Sequence, residues 1–536
     1  MCIRDRNRKS YKTFFLCLLT ICYTLILCVV YIHFGHTKIG YDGDEVFSYM
    51  SSNSEVNYKE LTALQDNSWY PSEYFHDALS VKEGYRFHYE IPVRNQATDV
   101  HPPFYYILLH TICSIFPGQF SMWYGIALNI ILTLLSLFVL FLLLRLFIGG
   151  SFLPLTICFI FGMTYGVINN VLFIRMYVLL MLLVTLQYYL HLRMFLTLKL
   201  TSDKFKFEQL ILLALVTILG TLSQYYFLIF LFWLAAFFCL ILFIQKKWTA
   251  LFQYVLTILI SGICSVIMYP TMIKHIFSGY RGEEAAHKLV SIQGTFGDIR
   301  EMFSIMSRQL ANRHLGQILV IMLFWALLLL LLKKLTVKNI AYTLILSLPA
   351  ILYFLTVTKI SPYVIDRYIT PVYGIIFGLT AAGVVMLTKI TLSNVRTVSI
   401  NYFIAALILC IGAFFSIHHM TGNVEQSRYW FSDRNQAIKE YTSENNFCIY
   451  ISADEYHWKI WSEFPSFLEY EKIYYIDGLL WNSVSDKTIS DYNKILVYIE
   501  DGVDIEKAKS YIQRKLGYRT WELLFESAYA EGYIVS

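Results

Sequence analysis

Two adjacent acids, Asp44 and Glu45, stand just after the first hydrophobic run, in a polar loop that closes at His101-Pro102-Pro103. Carboxylates this near a bilayer are costly to bury and are kept mainly for ion handling or catalysis. A positioned carboxylate takes the proton of an attacking hydroxyl as a general base. Arginine supplies the planar fork of donors that suits a departing phosphate. The chain holds both kinds of group, with Arg175 inside Ile174-Arg175-Met176-Tyr177 and Arg367 inside Asp366-Arg367-Tyr368, each at the start of an apolar run. Asp44 is the expected base and Glu45 its helper. His101, Arg175, Tyr177, Arg367 and Tyr368 are the expected substrate and phosphate contacts. Asp44 and Glu45 are also the candidate ligands for a divalent cation, Mg²⁺ or Mn²⁺, although no second cluster completes such a site.

Each residue taken alone has a plainer explanation. Acid pairs on exposed loops are common, and an interfacial arginine snorkels to headgroups without any catalytic reason. Arg367 has loop carboxylates to pair with, and His101 opens a helix. Tyr177, Tyr363 and Tyr368 fall where aromatic belts form in any case. The placing of the acid pair, the histidine and both arginines on one side of the membrane is what favours the joint reading.

The elements that must position these groups are membrane helices. Of 536 residues, 57% are hydrophobic and 15% charged, and the mean hydropathy is +0.52, well outside the usual composition of a soluble globular domain. Lys12 to His33 reads as an uncleaved signal anchor behind a basic tail, residues 1–11. Further spans are expected near 121–147, 152–169, 175–197, 207–222, 225–245, 250–272, 314–332, 339–357, 365–388 and 399–418, about eleven crossings in all. The run 104–116 is too short to cross and is expected to be re-entrant or interfacial. With a cytoplasmic amino terminus, Arg145, Lys199 to Lys206, Lys246-Lys247, Lys333-Lys334-Lys338 and Lys389 to Arg396 all fall inside. The multi-pass domain 12–418 then lies in the cytoplasmic membrane, with loops 34–103 and 273–313 outside.

The net charge of +5 follows from that inside bias, so no nucleic-acid partner is implied. Among the cysteines, Cys448 alone stands in the outer part, which gives no disulfide framework and no zinc spacing. In the second outer loop Phe296, Ile299, Met302, Phe303, Met306 and Leu310 share one helical face, as in an interfacial helix. After His419 short strand-like runs at 447–452, 472–476 and 495–499 alternate with helices, the clearest from Asp504 as N-cap to Gly517 as terminator. Residues 419–536 are therefore expected to form a small extracytoplasmic α/β domain. Its acids, Asp454-Glu455 and Glu500-Asp501, read as a solvated face.

Outside the cytoplasmic membrane there is no nucleotide pool, so a transferase there must draw its activated group from a lipid carrier. Asp44-Glu45 after the first span, Asp99-Val100-His101-Pro102-Pro103-Phe104-Tyr105-Tyr106, Arg175-Met176-Tyr177 and Arg367-Tyr368 together resemble bacterial membrane glycosyltransferases of the GT-C superfamily. The closest resemblance is to family 39, the relatives of protein mannosyltransferases and lipid A aminoarabinose transferases, over roughly residues 10–420. What this resemblance implies is a GT-C fold, an inverting transfer from an undecaprenyl-phosphate sugar to a glycan, lipid or protein acceptor of the cell envelope, and Asp44 as catalytic aspartate. Relatives carry a histidine before the aromatic pair that opens a middle span. Here Ser223-Gln224-Tyr225-Tyr226 stands instead, and glutamine cannot titrate. A lipid-linked glycan flippase or transporter would more usually show internal repeats and midplane charges. A glycan polymerase or ligase would be expected to carry its main outer loop later in the chain. A non-catalytic glycan-binding scaffold would tolerate loss of Asp44.

Overall fold

A chain in lipid must satisfy its backbone hydrogen bonds internally, so apolar runs become helices. The computed structural model describes residues 2–200, 203–291, 294–392, 407, 410, 432–442, 446–453, 459–482, 489, 492–527 and 529–536. Among these, six helices are long and apolar enough to cross a membrane: Thr13–Thr37, Met122–Ile148, Tyr177–Leu198, Tyr226–Ile244, Trp248–Met268 and Thr370–Thr391. Two helix pairs are bent at a short break, Phe152–Gly162 with Tyr165–Leu172 by 60° and Thr295–Ala311 with Leu315–Leu331 by 85°. Counting each pair as one crossing gives eight among the described residues.

Asn312 and Arg313 are left-handed, at φ 45° and 70°, so the helix from Thr295 ends there instead of running on. The expected interfacial helix thus becomes the first arm of a bent pair. It buries Met302, Met306 and Leu310 and leaves Phe296 83% exposed. Of the other expected spans, 207–222 forms the 15-residue apolar helix Phe207–Thr221, 339–357 lies within the continuous 24-residue helix Val337–Ile360, and 365–388 opens with two 3-10 turns, Asp366–Tyr368 and Thr370–Val372, before its helix. Phe104–Cys113 spans ten residues, or about 15 Å, half the thickness of a hydrocarbon core. The expected span 399–418 and the pair Asp454-Glu455 lie outside the described residues.

The remaining layer is a six-stranded sheet: β1 (Ser68–Pro71), β2 (Phe447–Ser452), β3 (Lys472–Asp477), β4 (Ile495–Glu500), β5 (Trp521–Glu526) and β6 (Ala530–Val535), in the order β1-β3-β2-β4-β6-β5. β2 pairs in parallel with β3 and β4, while β1, β5 and β6 add antiparallel partners. The helix Ile505–Leu516 forms where its cap residues require: the Asp504 side chain accepts from Lys507 N, and Gly517 takes φ 87°. Strand β1 comes from the first polar loop, so a boundary at 418/419 does not bound the sheet. Register fixes this stitch, with Trp69 opposite Tyr474 and Pro71 opposite Lys472.

One apolar core joins both layers. It runs from Leu140 and Leu144 of a membrane helix through Val46, Tyr49 and Met50 of the loop to Phe464, Phe467 and Tyr498 under the sheet. The helix Gly43–Asn53, which carries the acid pair, is packed between Phe104–Cys113 on one side and the 3-10 turn Ile460–Glu463 on the other.

Candidate active site

The sequence Asp42-Gly43-Asp44-Glu45 closes a capping box. The Asp42 side chain accepts from Asp44 N at 2.8 Å, and Glu45 Oε2 accepts from Asp42 N at 2.7 Å. Oε2 also accepts from Lys38 Nζ at 2.8 Å, in a pair whose two side chains are wholly buried. Oε1 accepts from Ile174 N at 2.8 Å. Burial lifts the Glu45 carboxyl above the ordinary range, with Lys38 pulling the other way. Every oxygen of Glu45 is thus committed to holding the backbone. This corrects the expectation that Glu45 helps in catalysis or binds a metal: it ties the acidic helix to the Ile174-Arg175 segment.

Asp44 is left to face the site. Its Oδ2 accepts from Arg367 Nη1, and Oδ1 lies 3.6 Å from Arg175 Nη2. The Asp44 side chain is 32% exposed, so a second molecule can reach it. Burial alone would raise its carboxyl, but Arg367 and then Arg175 outweigh burial and hold it well below the usual carboxylate range, and His101 adds to them.

The arginines are themselves fixed. Arg175 is 3% exposed, donates from Nη1 to Tyr106 Oη at 2.9 Å and to Ser48 Oγ at 3.4 Å, and lies 5.7 Å from the Phe47 ring centre. Arg367 stands 5.9 Å from the Phe173 ring and 5.5 Å from that of Tyr368. The Nε of each arginine is buried without a hydrogen-bond partner. Gly125 allows this approach, because a Cβ there would collide with the Ile174 side chain. Tyr177 and Tyr368 meet edge to face at 6.3 Å, and Tyr226 adds a ring 5.4 Å from Tyr368.

His101 is held by a different acid. Its Nδ1 lies 2.6 Å from Asp99 Oδ2. Burial opposes the charge on Asp99, and His101 draws it below the ordinary range. Gln224 Oε1 accepts from Tyr226 N at 2.6 Å and serves the turn.

Asp44, Arg175 and Arg367 are therefore brought into contact, with Tyr177 and Tyr368 beside them, and His101 is paired with Asp99 close enough to act on the Asp44 carboxyl. Lys38 and Asp42 belong to the same constellation and fall in none of the motifs read from sequence, and Asp99, Tyr106 and Tyr226 join it from motifs that gave them no role. The Asp42-x-x-Glu45 spacing was the available signal for the capping box. The donors around both acids do not fit a divalent cation: guanidinium, ammonium and amide N–H groups surround the carboxylates, and the two side chains turn to different partners. Among the described residues no group of three or more His, Cys, Asp or Glu side chains is arranged to hold a metal.

With this geometry in hand, solved structures give the fold. ArnT from Cupriavidus metallidurans in the apo state aligns over 96% of this chain and 97% of its own, at 10% identity and a TM-score of 0.50. The chain has the GT-C fold. ArnT from the same organism bound to undecaprenyl phosphate aligns over the same shares at 11% identity and a TM-score of 0.46. The archaeal oligosaccharyltransferase AglB from Archaeoglobus fulgidus, in complex with an inhibitory peptide and a dolichol-phosphate, aligns over 94% of this chain and 71% of its own at 10% identity and a TM-score of 0.46. No protein-family model matches the chain, and no curated protein matches it. Within the GT-C fold of this chain, the acid pair lies on the first loop and the two arginines at the ends of later helices.

Proposed function

We propose that the chain is a membrane glycosyltransferase that moves a sugar from a polyprenyl-phosphate donor, such as undecaprenyl phosphate, to an acceptor hydroxyl of the cell envelope at the outer face of the cytoplasmic membrane. The observation that carries this reading is the convergence of Asp44 with Arg367, 323 residues away in sequence, and with buried Arg175. An acid between two guanidinium groups supplies the two requirements of the reaction in one place.

In the proposed step the acceptor oxygen attacks the anomeric carbon, and its proton passes to Asp44. The bond from the anomeric carbon to the phosphate oxygen breaks, and the electron pair leaves with the phosphate. A single displacement of this kind inverts the anomeric centre. Arg175 and Arg367 hold the departing phosphate, whose charge grows as the bond breaks. In the resting site both arginines hold Asp44 ionised and weaken it as a base. A donor phosphate competes for the same forks, so its arrival restores basicity to Asp44 at the moment a proton must be taken. No step is routed through a cation.

The test is turnover by the purified protein in proteoliposomes, offered a panel of undecaprenyl-phosphate sugars together with an envelope extract. The reading expects one donor to release free undecaprenyl phosphate and to yield a product of inverted anomeric configuration. Folded protein that turns over no donor, or a product of retained configuration, would contradict it.

A further inference from the structure

The proposed reaction accounts for the side of Asp44 that faces Arg175 and Arg367. The α/β unit meets the backbone just before it. A Cβ placed on Gly43, the residue before Asp44, would stand 3.4 Å from Ser462 Cβ, 3.7 Å from Tyr529 Cε2 and 3.8 Å from Trp461 Nε1. Two turns of the α/β unit therefore press on the backbone that carries the acid. One is the 3-10 turn Ile460–Glu463, and the other links β5 to β6.

These turns are locked to each other. Ser527 Oγ donates to Glu463 Oε1 at 2.6 Å, and buried Arg434 donates to Glu463 Oε2 at 3.1 Å. Ser527 N donates to Ala530 O at 2.8 Å, and Asp501 N to Tyr529 O at 2.8 Å. Trp461 is braced by Phe47 at 5.0 Å and by Tyr58 at 5.5 Å, ring centre to ring centre. Both Trp461 and Tyr529 remain half-buried. Burial, and after it the Asp42 and Asp44 carboxylates, push the Tyr529 hydroxyl above its ordinary value, so it stays a neutral donor. Groups held this firmly beside the residue that precedes a reachable carboxylate have the character of a preformed site.

We infer that Tyr529 and Trp461 form the acceptor side of the Asp44 site, where a sugar-bearing acceptor lies against the two rings with its nucleophilic hydroxyl toward Asp44. This rests on the proposed transfer reaction. The lipid phosphate arrives among groups at the ends of membrane helices, so the sheet side is the approach left to the second substrate. Aromatic faces suit the C–H faces of a sugar, and a phenol hydroxyl suits its hydroxyls. The sheet thus supplies part of the substrate surface that the membrane helices lack.

The experiment uses the full-length protein in proteoliposomes with the donor the wild type turns over. A glycolipid fraction from envelopes of cells lacking the protein is titrated as acceptor. Tyr529→Ala and Trp461→Ala are each expected to raise the acceptor concentration for half-maximal transfer about tenfold, with the KM for donor changed by less than about twofold. Tyr529→Phe, which keeps the ring, is expected to recover part of the loss, and it remains readable if either alanine variant fails to fold. Wild-type acceptor dependence in the folded variants, or an equal rise in KM for the donor, would overturn the inference. Transfer only to a protein fraction would overturn the sugar assignment. Absence of any turnover by the wild type would instead refute the underlying reaction.

Discussion

Asp44 and Glu45 are neighbours with opposite duties. Glu45 is wholly buried and saturated by Lys38, Asp42 N and Ile174 N, whereas Asp44 faces two arginines and a reachable space. Glu45→Gln is accordingly expected to lower stability more than turnover, because it leaves Lys38 buried without its counter-charge. Removing one partner of such a pair costs about 3–5 kcal/mol, read as a fall in melting temperature with kcat retained within about tenfold. A kcat loss as large as that of Asp44→Asn, in folded protein, would return Glu45 to the catalytic group. The arginines depress Asp44, so its share of stability is present above the ordinary Asp value near 3.9 and is lost only as pH falls through its lower folded value. In the resting protein Asp44 is therefore expected to stay ionised at pH 4, measured by carboxyl ¹³C shifts. A midpoint near 4 would show that the arginines do not hold it. Arg175→Lys and Arg367→Lys keep charge but lose the fork. Each is expected to lower kcat by about 10²-fold, and wild-type kinetics in both would reduce them to interfacial anchors.

At the scale of elements, the site depends on how closely the Ile174-Arg175 segment approaches the helix Met122–Ile148. Gly125 is the contact that permits it. Gly125→Ala is expected to displace Ile174, loosen the Ile174 N to Glu45 hydrogen bond and lower kcat about tenfold with little change in helix content. Unchanged kcat would show that the segment tolerates the shift. What the sequence disclosed here follows from range. Long apolar runs and the caps at Asp504 and Gly517 are local signals, and the structure follows them. Breaks inside apolar runs are not local in that sense: the bend after Gly162 leaves hydropathy unchanged while dividing a helix, whereas the left-handed pair Asn312-Arg313 falls in a polar stretch where one helix was already expected to end. Strand β1 is four residues long and exists because β3 offers an edge, so nothing in residues 68–71 alone announces it.

At the scale of the molecule, the first loop, the membrane helices and the sheet share one core, and the acidic helix lies where they meet. This explains which site residues were legible. Asp44, Arg175 and Arg367 stand out because charges at the edges of apolar runs are conspicuous. Lys38, Asp42 and Tyr529 do not, because their importance comes from partners that only the fold supplies. Tyr529 is one of 41 tyrosines in the chain, and what distinguishes it is its position across from Gly43. The account rests on Asp44 acting as base within the arginine pair, and the most direct measurement is release of undecaprenyl phosphate by wild type and Asp44→Asn side by side, in proteoliposomes, with folding of both confirmed. The account expects wild-type release and a loss of at least about 10²-fold in the variant. Equal release from both proteins would contradict it.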